Sequence, residues 1–155
     1  MTPIGSVQPV DLEKIDKTNF ARCFADSIVI TQDGKLVLQR RPSQQDEGGL
    51  CLNAFGGSIE PNEAPLQAII RELKEELGAE AVPADIVVLG AVAETLGGER
   101  SLIHAYFWYD RQGTITGCYE YEAVFFNNVA DALGHSGLMD YTRWMLHECQ
   151  NRKLL

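Results

Sequence analysis

Between Leu50 and Gly78 the chain passes from a short apolar run, Leu50 to Phe55, through Gly56-Gly57 into a periodic segment that stops at another glycine. Few folds accommodate that order. Two successive glycines permit dihedrals and a close backbone approach that a side chain would forbid. Asn62 suits a helix N-cap, Pro65 its first turn and Gly78 its C-cap, which predicts a helix ending at Leu77. On that helix Leu66, Ile69, Ile70, Leu73 and Leu77 share an arc of about 100°, and Glu72, Glu75 and Glu76 share the neighbouring arc. One side packs, and the next presents three carboxylates.

Those carboxylates define a chemistry. Glu72 and Glu76 stand one turn apart with Glu75 beside them on the same side of the helix, so they repel one another unless a cation lies among them. Hard oxygen ligands suit Mg²⁺, or Mn²⁺, which also holds phosphate oxygens and can orient or acidify a water. Arg71 points about 100° away from Glu72 around the helix. It is placed to brace a carboxylate such as Glu63 rather than to face the ion.

The rest of the sequence predicts a mixed sheet with helices on its faces, one α/β domain over 155 residues. Residues 1–19 are polar, with Pro3 and Pro9, and read as an arm or a weakly ordered first strand. Cys23 to Thr31 and Leu36 to Arg41 flank Gln32-Asp33-Gly34-Lys35 as a β-hairpin. Pro42 to Gly49 is a polar loop at the rim of a pocket. Ile86 to Ala93 and Leu102 to Tyr109 are strands separated by Gly97-Gly98-Glu99-Arg100. A further strand runs from Glu120 to Phe126. A short helix begins near Asn127 or Asn128, and a longer one covers Leu138 to Asn151, with Met139, Trp144, Met145 and Leu146 as packing residues.

A net charge of -9 disfavours a binder of duplex nucleic acid, which wants a basic stripe, and favours a small phosphorylated ligand whose charge metal ions offset. Cys23, Cys51, Cys118 and Cys149 are widely spaced with no CxxC pair, so neither zinc site nor disulfide framework is expected; free thiols fit the cytoplasm. No basic leader or membrane-length apolar run stands out. His104 sits in an apolar strand without a partner at ligand spacing and reads as a hydrogen-bonded interior or sheet-face residue, and His135 and His147 as structural or solvent-facing. One or two of Phe24, Phe55, Tyr106, Trp108 and Phe126 could stack on a base.

Written with gaps, Gly57-x5-Glu63-x7-Arg71-Glu72-Leu73-x-Glu75-Glu76-x-Gly78-Ala79 resembles the signature of the Nudix hydrolases, the MutT-like family. Only Ala79 departs, where the family usually has a larger aliphatic residue. The resemblance implies a Nudix-like α/β/α sandwich with a strongly twisted mixed sheet. It implies Glu72, Glu75 and Glu76 as metal ligands, Glu63 and Arg71 as orienting residues behind them, Gly56 and Gly57 as the shaping loop, and a backbone oxygen, nearest Gly56, on the metal. Many members use a further carboxylate as ligand or base. Glu120 is favoured here and Glu122 is the alternative, the two expected on one strand face; Glu94 and Glu99 could stand in their place. Of Arg40 and Arg41, one should face the site and meet phosphate. The implied reaction is metal-dependent hydrolysis of a pyrophosphate bond in a nucleoside diphosphate linked to X, by water attack on phosphorus. A nucleotide-sensing or interaction protein without catalysis and an RNA-end pyrophosphohydrolase are the alternatives. Relatives that pair make a homodimer possible.

Overall fold

A computed structural model describes residues 7–43 and 49–155. Among the described residues eight strands form one mixed sheet: β1 (Gln8–Val10), β2 (Arg22–Ile30), β3 (Leu36–Pro42), β4 (Leu50–Asn53), β5 (Phe55–Ser58), β6 (Ile86–Leu96), β7 (Glu99–Tyr109) and β8 (Glu122–Phe126). The helices are α1 (Pro65–Leu77), α2 (Val129–Leu133) and α3 (Asp140–Asn151).

Strand β2 organises the molecule through its period of two. Ala25 and Val29 pack with Ile69, Leu73 and Leu77 of α1, and Ile28 and Ile30 pack with Trp144, Met145 and Leu146 of α3 on the opposite face. Helices therefore cover both sides of the sheet, in the expected α/β/α order. β2 runs parallel to β7 from Arg22↔Ser101 to Ile30↔Tyr109, whereas its antiparallel partnership with β3 lasts only two pairs, Val29↔Val37 and Ile30↔Leu36. Beyond these, β2 turns to β5 while β3 pairs with β4 and β8. The sheet thus opens between β2 and β3, and the candidate site lies along that opening.

Several expected boundaries move. The run Leu50 to Phe55 is two strands broken at Ala54, because β4 follows β3 and β5 crosses to β2. Ala64, not Asn62, is the N-cap of α1, and Gln67 Oε1 accepts the Ala64 amide (3.0 Å) in place of a capping side chain. Asn62 takes φ +65° in the preceding turn, a conformation asparagine tolerates. Gly78 does end α1, in the left-handed region at φ +65°. The β6–β7 hairpin is longer than predicted, closed by Gly97 and Gly98, both at positive φ. Asn128 caps α2 by accepting the Asp131 amide (2.9 Å), and α3 starts at Asp140. Residues Gln8 to Val10 of the expected arm form an ordered strand on β6; most of the polar loop after Pro42, residues 44–48, lies outside the described residues.

His104 is buried in the sheet, where burial, with Lys17 nearby, pushes its imidazole down to about 4. His135 accepts a hydrogen bond from the Gly137 amide (3.1 Å). All four cysteines are free, Cys51 and Cys149 buried, Cys23 and Cys118 half-buried. Among the described residues no helix is long and apolar enough to cross a membrane.

Glu94 is buried on β6, and its Oε2 has no hydrogen-bond partner among the described residues. Burial, with Asp140 adding, pushes this carboxyl up to about 7. An unfolded glutamate ionises near 4.3, so as pH rises from there to 7 the unfolded chain releases a proton that the folded chain keeps, and stability falls across that window. Glu94→Gln should therefore exceed wild type by about 2–3 kcal/mol at pH 8, the gain shrinking toward zero near pH 4.5, as read by urea unfolding.

Candidate active site

Helix α1 brings its carboxylates to the opening of the sheet because Ile69, Leu73 and Leu77 anchor the adjacent face. Strand β5 then passes close by. A Cβ on Gly57 would sit 2.6 Å from Glu72 Oε1, and one on Gly56, at φ +152°, would collide with the Ala25 carbonyl and the Asp26 side chain. The glycine pair is thus a steric requirement for setting the Glu72 carboxylate against backbone.

Glu76 is nearly inaccessible, at 2 % exposure. Its Oε2 accepts the Gly56 amide (3.2 Å) and Gln39 Nε2 (3.4 Å). Burial pushes its carboxyl up to about 9, with Asp26, Glu72 and Glu120 reinforcing the shift. Burial also raises Glu72, against the lowering influence of Arg71.

Arg71 is a clamp rather than a ligand. Its Nε and Nη2 donate to the two oxygens of Glu63 (2.7 and 2.9 Å), Nη2 also to the Ser58 carbonyl (3.0 Å), and Nη1 to Glu72 Oε1 (2.8 Å) and Glu75 Oε2 (3.4 Å). This contact holds Glu63 down to about 2 and raises the guanidinium. Glu63 receives a further bond from the Glu60 amide (3.0 Å), so one arginine ties the turn before α1, strand β5 and the helix carboxylates together.

A cavity of about 350 Å³ opens beside this cluster, lined by Gly56, Gly57, Ser58, Glu72 and Glu120 and also by Arg22, Phe24, Asp26, Arg41, Asn53, Tyr121 and Tyr141. Glu120 lies on the connection between β7 and β8, not on β8 itself, so the expected shared strand face with Glu122 does not exist. That connection is fastened to the end of α1: the Thr116 amide donates to the Leu77 carbonyl and the Tyr119 amide to the Glu76 carbonyl, each at 2.9 Å. The free carbonyls of a helix C-terminus thereby hold Glu120 near Glu76. Glu122, on β8, instead pairs with Arg40 (3.4 Å).

The two arginines separate by strand alternation. Arg41 lines the cavity and lies 5.8 Å from the centre of the Tyr121 ring, whereas Arg40 is not among the cavity residues. Glu75 remains exposed on the helix. Glu99 is occupied by Arg22 (3.1 Å) at the hairpin end of β7, and Glu94 is not part of the cavity wall.

Asp26, Asn53 and Tyr141 do not stand out in the sequence. Asp26 is buried, and burial lifts its carboxyl to about 7 against the lowering effects of Tyr141 and Arg41. The available signal is an acid in the apolar run Phe24 to Ile30, in register with Phe24 and Ile28 on one strand face.

The residues suit a hard divalent ion. Among the described residues no three His, Cys, Asp or Glu side chains converge closely enough to hold a metal as they stand. Yet the acids lining the cavity, Asp26, Glu72 and Glu120, offer oxygen donors, Gln39 Oε1 beside Glu76 is a buried acceptor without a partner among the described residues, and like charge is what adds to the shift of Glu76. A cation relieves that repulsion.

The family model for the NUDIX domain matches residues 22–144. The chain is 37 % identical over 105 residues to the CTP pyrophosphohydrolase of Escherichia coli K12, covering 68 % of this chain and 75 % of that one. It is 39 % identical over 69 residues to an RNA pyrophosphohydrolase of Halorhodospira halophila, covering 44 % of this chain and 34 % of that one. The solution structure of the E. coli ORF135 protein superposes with a TM-score of 0.68 at 27 % identity, over 85 % of this chain and 90 % of that one. With the glycine pair and Glu72 lining one cavity and Arg71 clamped to Glu72 behind it, these likenesses have a single meaning: the chain belongs to the Nudix hydrolases and is a pyrophosphohydrolase.

Proposed function

We propose that this enzyme hydrolyses a pyrophosphate bond of a free nucleoside triphosphate, with Mg²⁺ or Mn²⁺ held by Glu72, Glu75, Glu76, Glu120 and the Gly56 backbone oxygen. The observation that carries the reading is the burial of Glu76 close to Asp26, Glu72 and Glu120, the three acids that line an open cavity. A bound divalent ion supplies Lewis acidity toward phosphate oxygens and makes a coordinated water acidic. Arg71 and Glu63 hold the helix carboxylates in register. Glu120, on a connection tied to α1, is the group to accept the proton of the attacking water, and Arg41 donates to phosphate oxygens. Water adds to one phosphorus, the bridging P–O bond breaks, and the leaving phosphate departs on that oxygen.

A cytosine nucleotide is the first substrate to test, given the likeness to a CTP pyrophosphohydrolase. The shorter likeness to an RNA pyrophosphohydrolase makes triphosphate-ended RNA the competitor, which the charge of -9 disfavours. The test measures phosphate and pyrophosphate release from the four nucleoside triphosphates, ADP-ribose, a nucleotide sugar and a 5′-triphosphate RNA, with Mg²⁺ and with chelator. Mg²⁺-dependent cleavage of a free triphosphate is expected. Preference for the RNA, or turnover indifferent to chelator, overturns the reading.

A further inference from the structure

Asp26 lines the cavity, yet the hydrolytic step described above gives it no task. It stands on β2 opposite Gly56 and is 4 % exposed. Its surroundings are ordered from α3 inward. The Thr142 hydroxyl and the Ala54 amide both donate to Asn53 Oδ1, at 2.6 and 2.8 Å. With that oxygen occupied, the Asn53 amide nitrogen is the group left to bond the Tyr141 hydroxyl, and Tyr141 bonds Asp26. A tyrosine hydroxyl has one proton, so accepting from Asn53 leaves it to donate to Asp26. Asp26 is thereby held as an acceptor, with oxygen lone pairs left over for the cavity.

An acid in that wall which holds no metal is repelled by the phosphates of the ligand, so its complement is a hydrogen-bond donor on the uncharged part of the ligand. Phe24 and Tyr121 line the same cavity and offer flat surfaces for a planar ring. Among the donors that a planar base brings to such a wall is its exocyclic amine.

We infer that Asp26 reads the exocyclic amine of the substrate base, selecting amino-bearing nucleotides of the cytosine or adenine type over the same nucleotides without the amine. The inference rests on the nucleotide reading above and adds to it the residue that discriminates. A site built to bond a substrate N–H rejects the analogue that lacks it, because its own polar group is left unpaired.

The test uses pairs differing only in the amine: cytidine against 2-pyrimidinone riboside, and adenosine against purine riboside. Each is measured as triphosphate turnover (kcat/KM) and as monophosphate binding by calorimetry. Wild type should favour the aminated member of at least one pair by about tenfold or more. Asp26→Ala should bring that ratio within about twofold of unity, and Asp26→Asn, which keeps an acceptor oxygen, should fall between. If the alanine variant fails a thermal-melt check of folding, the asparagine variant decides alone, a ratio equal to wild type counting against the inference. Equal use of both members by wild type, a ratio that survives in Asp26→Ala, or an effect seen only between ribose and deoxyribose forms overturns it. Failure of every triphosphate to be cleaved would strike the proposed reaction, while the binding ratios would still judge Asp26.

Discussion

Glutamine in place of Glu76 should lower pyrophosphate-bond cleavage at least about 100-fold, the scale on which loss of a preorganised charged group at a reacting centre is felt. The amide keeps an oxygen for the Gly56 amide and for Gln39 Nε2, which now lie at 3.2 and 3.4 Å from the carboxylate, so the local packing is retained. It cannot supply negative charge. Buried at 2 % exposure, the wild-type carboxylate costs the folded state solvation that an amide does not. Thermal unfolding of Glu76→Gln in chelator should therefore match or exceed wild type while Mg²⁺-dependent turnover collapses. Turnover within tenfold of wild type at saturating Mg²⁺ would remove Glu76 from the site.

Arg71→Ala should do the opposite to stability. Removing the guanidinium takes from Glu63, Glu72 and the Ser58 carbonyl the arginine donors that now lie at 2.7 to 3.0 Å. Breaking a buried pair costs about 3–5 kcal/mol; the Arg71 side chain is 23 % exposed, so a loss of about 2–3 kcal/mol is the discounted expectation. Turnover should drop about 10–100-fold, as for other residues that orient ligands from behind. Arg71→Lys keeps the charge but not the fork and should recover only part of either. A double-mutant cycle with Glu63→Gln should show strong non-additivity; additive losses would mean that the clamp does not act as a unit.

The positions of Glu76 and Arg71 are legible in the amino-acid sequence because they follow from spacing along one helix. Glu63, Glu72 and the glycine pair likewise fall where helical periodicity and glycine sterics put them. Asp26, Asn53 and Tyr141 come from β2, β4 and α3, and no spacing links them; what joins them is the crossing of β5 onto β2 and the packing of α3 beneath the opening. Glu120 is legible as a residue but not as a position. Its connection is set by bonds to the last carbonyls of α1, which alternation along a strand cannot foresee. Arg40 and Arg41 are distinguishable in the sequence only as alternates, and the register of β3 with β4 and β8 turns Arg41 to the cavity and Arg40 to Glu122.

The parallel pairing of β2 with β7 also bears on how the molecule comes into being. During synthesis β2, β5 and α1 emerge first, and Ala25, Val29 and Phe55 can begin to cover the apolar side of the helix. Tyr106 and Trp108, which complete that cover, arrive only with β7, and Glu120 later still. Such long-range closure is slow and leaves apolar surface bare meanwhile. The growing chain thus carries its acidic helix well before it owns a site, and chemistry begins only when the last strands have left the ribosome.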